Sequence, residues 1–537
     1  MALLLSSAAA QADLSISNKP TQNMSCNAGV CVATAKKAVL NVGDLQAMLA
    51  SGNATVKTGS IAKNVEIDEP LTWANTSRLT LDAQQSIIVK KPVTITGSGA
   101  LTIATNDGDS NGAFATSNKG AVTFWDLASG LVINGENYSL AGDIKTLAAD
   151  IAAKPAGNFA LAKSYDAKAD GPYSSVPIPT TFAGKLEGLG NRLANLTVQD
   201  SSSGEVGLFA NLGSGSVVEN ITLSRVNISG AAAESVGSFV GESFGTLRNT
   251  HATGRITASI PDGTGGGLAG GNEGVITQSS ANCMVSGGWA AGLAGEDSGT
   301  INNSFASGSE HGGVMGGLTA FEVGTIEDSY STGSIKTDAS VEAGGIAGIT
   351  SAFALVERSF STGSITTGDG SFVGGIVGYI DGGAIDQSFA AGSLSVGMNG
   401  AVGGLVAGAC GCEGNAAINN SYAAGSARGK SGSQIGGIVG FTQEDIAITA
   451  TYSTGAVNGN GAYKGGFIGF DGEPGDIATG YWDLDTSGIS DPANGAGNVK
   501  NDSGLTGLTD LQLKSGLPGG FDPKIWGQSP NINNGYP

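Results

Sequence analysis

The sequence is poor in the groups that most enzymes use. It has only two histidines, His251 and His311, and 26 Lys and Arg against 46 Asp and Glu, so its formal net charge is -20. Phosphate recognition needs clustered Lys and Arg, and none is present. The balance therefore argues against nucleic acid, and against docking on anionic lipid, as partners. No His-Glu-x-x-His occurs, which removes the usual zinc-peptidase pattern. No Gly-x-Ser-x-Gly sits in a strand-turn-helix setting with a histidine to serve it. Beyond the first residues no run approaches ~18 consecutive apolar residues, so no membrane-spanning helix is expected. Cysteines number five. Cys26 and Cys31 in "CNAGVC" are spaced for a small disulfide loop, Cys283, Cys410 and Cys412 are ambiguous, and four-cysteine zinc spacing is missing.

What the sequence does have is glycine, 89 residues of 537, in a chain that is 40% hydrophobic. Disorder requires low hydrophobicity, so a folded, periodic architecture is expected. The phrase "GGIVGYIDGGAIDQSF" at 374–389 returns with small changes along the chain. Aligning one glycine of each phrase gives Gly207, Gly237, Gly267, Gly292, Gly317, Gly345, Gly375, Gly404, Gly437 and Gly466, spaced 25 to 33 residues apart. Ten units near thirty residues, with slack at one place, describe stacked coils carrying turns of different size.

Within each unit a column of aliphatic residues (Ile301, Ile326, Val356, Ile385, Ile418, Ile448) stands three positions before a hydroxyl column (Ser304, Ser329, Ser359, Ser388, Ser421, Thr451). An aromatic column follows directly: Phe305, Tyr330, Phe360, Phe389, Tyr422, Tyr452. Short β-compatible runs between turn formers cannot bury a face alone. Stacked at ~4.8 Å they align like residues into ladders. The fold expected is therefore all-β, a right-handed parallel β-helix, with aliphatic and aromatic columns making the core and glycines making corners by positive φ or close approach. Strict alternation from Ile385 would also turn Gln387 inward, together with its equivalents Gln278, Asn303, Asp328, Arg358 and Asn420. Either an amide ladder is buried there or the chain bends after the aliphatic residue. The bend is preferred, because Asp328 and Arg358 would be costly inside.

The flanks divide as follows. Residues 1–12, "MALLLSSAAAQA", read as a truncated signal peptide lacking its basic leading segment. Residues 13–36 form a cysteine-bearing segment. Residues 37–141 are irregular coils with a short capping helix in "NVGDLQAMLASG". Residues 142–181 are a helical insertion outside the solenoid, with Ile144, Leu147 and Ile151 on one helical face. Residues 182–481 carry the repeats, and 482–537 form a C-terminal cap.

The phrases "GGLAGGNEGVITQSS" and "AGLAGEDSGTINNSFASG" resemble the GLUG motif of bacterial secreted proteins, found in filamentous-haemagglutinin-like adhesins and beside the peptidase of some immunoglobulin A1 proteases. The likeness covers roughly 40–530 and concerns a structural unit. It implies an exported protein of the cell surface or extracellular space. No "NPNGI"-like secretion stretch or terminal barrel pattern accompanies it, so the export route is open.

Candidate chemistry is sparse. His251 falls in the aromatic column and reads as a column filler, and His311 in "GSEHGG" reads as a turn residue. Glu327, Glu357 and Asp386 directly follow the aliphatic column in three successive coils. Stacked carboxylates repel, which raises their pKa values or invites a cation such as Ca²⁺. Arg358 is expected to point away from them by alternation. "NDGDSNG" places Asp107 and Asp109 in a second oxygen-rich loop. The expected function is a non-enzymatic, adhesin-like β-solenoid binding glycans or proteins of host or neighbouring cells, without a cofactor. The alternative is a β-helix polysaccharide lyase or hydrolase using Glu327, Glu357 and Asp386 as catalytic carboxylates. An open groove with aromatic platforms and a base would favour the enzyme, and a flat, solvated row the scaffold.

Overall fold

The computed structural model describes residues 13–108, 111–117, 119–444, 446–474 and 477–537. The expected signal segment and Asp109 lie outside these. The chain forms a right-handed parallel β-helix in which almost every strand pairs in parallel with its counterpart one coil away.

A repeat coil has four faces, seen in the unit from Glu342. Strand Glu342–Gly344 belongs to a ten-stranded parallel sheet, and Ala347–Thr350 to a second sheet of ten. Leu355–Glu357 and Phe360–Ser361 make the third face, and Ile365–Thr366 lies in a five-stranded fourth face. Ten strands in each of the first two sheets match the ten phrases read from the sequence. In the first coils the register differs by one from the glycine alignment, since Gly237 pairs with Gly266 and not with Gly267.

Steric crowding explains the repeated glycines of the first corner. A Cβ on Gly344 would lie 1.8 Å from the Ala347 carbonyl oxygen, and one on Gly345 would lie 2.1 Å from that of Gly375. Neither has positive φ. Close backbone approach, not left-handed geometry, excludes a side chain there.

The left-handed region is used elsewhere, by residues that are not glycine. Asn249, Gln278, Asn303, Asp328, Arg358, Gln387, Asn420 and Ala450 all have φ between 45° and 52°. This is the expected bend, made by a single residue per coil. It shifts the alternation by one, so Ile385 and Ser388 both point inward while Phe389 turns out and Ala390 turns in. The aromatic column is therefore not core, as the alternation had implied. Its rings from Phe305 to Tyr422 are half-buried on the outer surface, and only Tyr452 is fully covered.

Over the repeats the core is mainly aliphatic, running from Ala141 to Ala496 through Ile301, Ile326, Val356, Ile385, Ile418 and Ile448, with aromatic rings such as Phe209, Phe239 and Phe467 toward its ends. The coils before Ala141 pack a core of their own. Beside it the hydroxyl column closes its own hydrogen bonds. The Ser359 hydroxyl donates to the Glu357 carbonyl at 2.9 Å and accepts from the Ser329 amide at 3.2 Å, and the same pattern joins Thr250 through Ser421. A buried hydroxyl is tolerable there because both its roles are filled.

Residues 13–36 are part of the solenoid instead of a separate segment ahead of it. Asp13–Ser17 pairs with Ala38–Asn41 and Asn64–Ile67, and the hairpin Met24–Asn27/Val30–Ala33 pairs onward with Ala54–Lys57. Cys26 and Cys31 face each other across that hairpin and form the expected disulfide. Cys410 and Cys412 form another, and Cys283 is a buried free thiol. The helix Val42–Ser51 follows the edge strand Ala38–Asn41, starts on an Asn41 cap, and buries Leu45 and Leu49, covering the edge as expected. The segment 142–181 is also drawn into the stack. Helix Ile144–Ala153 buries Ile144, Leu147 and Ile151 against the core, and Asn158–Leu161 pairs with Ser139–Ala141 and Lys185–Glu187.

Candidate functional site

The third face carries the predicted row. Register places Asn302, Glu327, Glu357, Asp386 and Asn419 on successive rungs, side chains outward and partly exposed. The left-handed residues stand next to them, and that position decides the chemistry. Because Arg358 bends left-handed, it does not point away as alternation implied; its guanidinium lies over the row. It reaches Glu327 Oε2 at 2.8 Å, Asp328 Oδ1 at 3.0 Å and Glu357 Oε1 at 2.5 Å. The Asp328 carboxylate beside it, by hydrogen bond and charge, and then Glu357 raise the Arg358 pKa further, so the cation is permanent. Asp386 accepts from Gln387 Nε2 at 3.1 Å and from Asn420 Nδ2 at 2.8 Å. The three carboxylates thus lie together, but each is engaged by a neighbouring side chain. A fixed Arg⁺ occupies the place a cation would take.

Beside the row runs the aromatic ladder. Phe305, Tyr330, Phe360, Phe389, Tyr422 and Tyr452 stack with centroid distances of 4.9 to 5.1 Å and interplanar angles of 2° to 8°. Tyr330, Phe360, Phe389 and Tyr422 each spend both faces on neighbouring rings and present an edge to solvent. A sugar stacks on a ring face, so this ladder is not a glycan platform of that kind. At its C-terminal end the tail folds back over it. Phe521, Trp526 and Tyr536 pack around Tyr452, whose hydroxyl donates to the Pro537 carbonyl at 2.6 Å. The short helix Asp510–Leu513, held by a Thr509–Gln512 capping box, starts this tail. At the ladder's other end His251 pairs in register with Ser280, filling the column as read from sequence. Its ring nitrogens meet Ser280 Oγ at 2.8 Å and Asn249 Oδ1 at 3.1 Å, and burial lowers its pKa.

His311 is in the strand Ser309–His311, not in a turn, and is exposed. Asp107 borders a recess of about 210 Å³ together with Lys57, Ser60, Asp82 and Gln84. Lys57 binds Asp82 at 2.8 Å and is held protonated by that contact first and by Asp107 more weakly. A lysine ammonium thus already supplies positive charge beside Asp107. The recess is also smaller than the ~300 Å³ at which small-molecule sites begin.

Sequence reading missed the interior carboxyls, among them Glu310, Asp297 and Glu322. Glu310 lies in the fourth-face column behind Val285, and Asp297 and Glu322 lie on adjoining rungs of the second face. All three are at most 1% exposed. Their signal was available as a break in a column: aligning on the core position of each face exposes an acid among aliphatic, small and uncharged polar residues.

No family model matches the chain. A stretch of 107 residues, 20% of the chain, is 39% identical to halomucin of Haloquadratum walsbyi, and spans about 1% of that protein's length. Among solved structures, a candidate immunoglobulin A1 protease from Bacteroides ovatus aligns over 64% of this chain and 84% of its own, at 16% identity and a TM-score of 0.27. No helix among the described residues is long and apolar enough to cross a membrane.

Proposed function

We propose that this protein is an exported β-solenoid of the cell surface or extracellular space, built from GLUG-type repeats, that acts as an adhesin-like structural and binding module without catalysis. The observation that carries this reading is the state of the third face. Over the rungs from Asn302 to Asn419 the carboxylates are held by Arg358, Gln387 and Asn420, while the adjoining rings consume each other's faces. A general acid or nucleophile needs a carboxyl free to meet substrate. A stalk needs what is present: a long lateral surface of repeated, mutually satisfied side chains offering many weak contacts. The local likeness to halomucin agrees with a place outside the cell. The partners proposed are glycans or proteins on host or neighbouring cells.

Cell fractionation with an antibody to the repeat region, followed by a screen of immobilised glycans and whole cells, tests the reading. Recovery outside the inner membrane together with saturable binding is expected. Reproducible cleavage of a polysaccharide, abolished by Glu327→Gln with Glu357→Gln and Asp386→Asn, would overturn it in favour of an enzyme.

A further inference from the structure

Inside the tube, at the inward end of the second face, Asn272, Asp297 and Glu322 follow one another in register. Ser243 precedes Asn272 and Thr350 follows Glu322 before the column turns apolar at Ile380 and Ala409, so the buried polar stretch spans five rungs and its two carboxyls sit on adjoining ones. Thr319, three residues before Glu322 in the same strand, Thr319–Glu322, also points inward. The side chains of Asn272, Asp297, Glu322 and Thr319 are at most 1% exposed. The Asn272 amide donates to Asp297 Oδ1, the Asp297 and Glu322 carboxyl groups lie against each other, and the Thr319 hydroxyl borders Glu322.

The donor count does not close. Asn272 Oδ1, Asp297 Oδ2, both Glu322 oxygens and Thr319 Oγ1 lack a hydrogen-bond partner of good geometry. Two of these five belong to neutral groups, so the shortage is not only a matter of paired carboxylates. A single proton shared between Asp297 and Glu322 would relieve their repulsion, and the Thr319 hydroxyl can turn toward Glu322, yet the Asn272 amide oxygen stays unanswered.

We propose that a Ca²⁺ ion binds inside the solenoid between Asp297 and Glu322, with the Asn272 side-chain oxygen and the Thr319 hydroxyl as further ligands, and clamps three successive coils. Two carboxylates balance the dication's charge, which removes the main obstacle to burying them. The donors are all oxygens, a hard set that suits Ca²⁺, with its six to eight ligands and tolerant geometry, and does not suit zinc or copper, which favour nitrogen and sulfur. A half-turn of the Asn272 amide exchanges its nitrogen for its oxygen in the same volume and presents the oxygen to the ion. This site differs from the outer row, whose carboxylates are already taken by Arg358, Gln387 and Asn420.

The full chain, dialysed against EDTA and then titrated with CaCl₂, tests the proposal by thermal melting, titration calorimetry and elemental analysis of bound metal. One Ca²⁺ per chain and a melting point raised by several degrees are expected, with Mg²⁺ giving a smaller rise. Asp297→Asn with Glu322→Gln should abolish the response, whereas Glu327→Gln, Glu357→Gln and Asp386→Asn should leave it intact. Should the interior double variant not fold, Thr319→Val, which removes only one ligand atom, should fold and bind Ca²⁺ about tenfold more weakly. A parent chain that binds no metal and ignores both EDTA and Ca²⁺ overturns the proposal. So does a Thr319→Val chain with unchanged affinity, or an interior double variant that responds like the parent.

Discussion

Glu310 allows a sharp test of how the core is assembled. It sits in strand Ser309–His311, directly opposite Val285, which in turn lies opposite Ile256 and Ile228. One carboxyl thus occupies a column of aliphatic side chains, 1% exposed, with neither oxygen hydrogen-bonded. Burial raises its pKa from the ordinary 4.5 to about 8. The folded chain therefore keeps this proton over a range in which the unfolded chain has released it. Below pH 4.5 both states are protonated and folding loses nothing. From 4.5 to about 8 stability falls by about 1.4 kcal/mol per pH unit, and about 5 kcal/mol is lost across that interval. Above pH 8 both states are ionised and the loss levels off.

Glu310→Gln removes the titration and retains the shape, so the stability difference between parent and variant isolates this one group. Thermal and urea unfolding followed by circular dichroism from pH 5 to 9, at fixed ionic strength and with chelator present, would measure it. The parent is expected to lose ground steadily against the variant as pH rises, most of it before pH 8. Glu310→Leu continues the aliphatic column and should melt above the parent at pH 8. Parent and Glu310→Gln curves that run parallel through the whole range would refute the placement of this carboxyl in the core.

Ile385→Asp places a charge at a side chain 1% exposed in the same continuous core and should cost at least 4 kcal/mol, seen as loss of cooperative melting; an unchanged melting point would show the aliphatic column to be misassigned. Replacing Glu327, Glu357 and Asp386 by Gln, Gln and Asn takes from Arg358 two of its three carboxylate partners and leaves Asp328, so stability should fall by about 1 kcal/mol rather than rise, with binding to cells retained. A gain in melting temperature would contradict the Arg358 geometry. Ending the chain after Leu508 removes Phe521, Trp526 and Tyr536 from Tyr452, and the bared ladder end should lower the melting point and increase binding of a hydrophobic dye. No change in either would mean that the tail does not rest on the ladder.

Much of this was legible in the sequence because a solenoid writes its register as a period. The aliphatic and hydroxyl columns and the ten coils followed from spacing alone, since every coil must present the same side chain to its neighbours, and the helix Val42–Ser51 from Asp44 near its start and Gly52 after its end. The face toward which a column points was less legible. Asn303 and Asn420 suit the left-handed conformation, but Arg358, Gln387 and Ala450 hold it with the same φ and carry no such preference. The stack of coils imposes the bend on whatever residue arrives there, and a count in twos cannot detect it. That one hidden residue per coil sends the aromatic column outside and swings Arg358 over the carboxylates.

The same physics explains why the outer acids attracted notice and the inner ones did not. Glu327, Glu357 and Asp386 are acidic in three consecutive coils, so they stand out as a run, yet a run of acids on an outer rung finds counterparts easily: side chains can reach over from Arg358, Gln387 and Asn420. Glu310 interrupts a column that is otherwise aliphatic, and the Asp297–Glu322 pair sits in an inward column whose adjoining rungs are Asn272 and Thr350; both are visible only after the inward positions are known. On a surface, solvent and flexible neighbours make an acid cheap, and its presence says little about a ligand. Inside a stack with rungs about 5 Å apart, only a side chain on an adjoining rung can reach a carboxyl, as Asn272 reaches Asp297 and Thr442 reaches Asp471. What these leave unanswered must be met by a proton, a water or an ion. The positions that break the pattern inward are therefore more informative than those that repeat it outward.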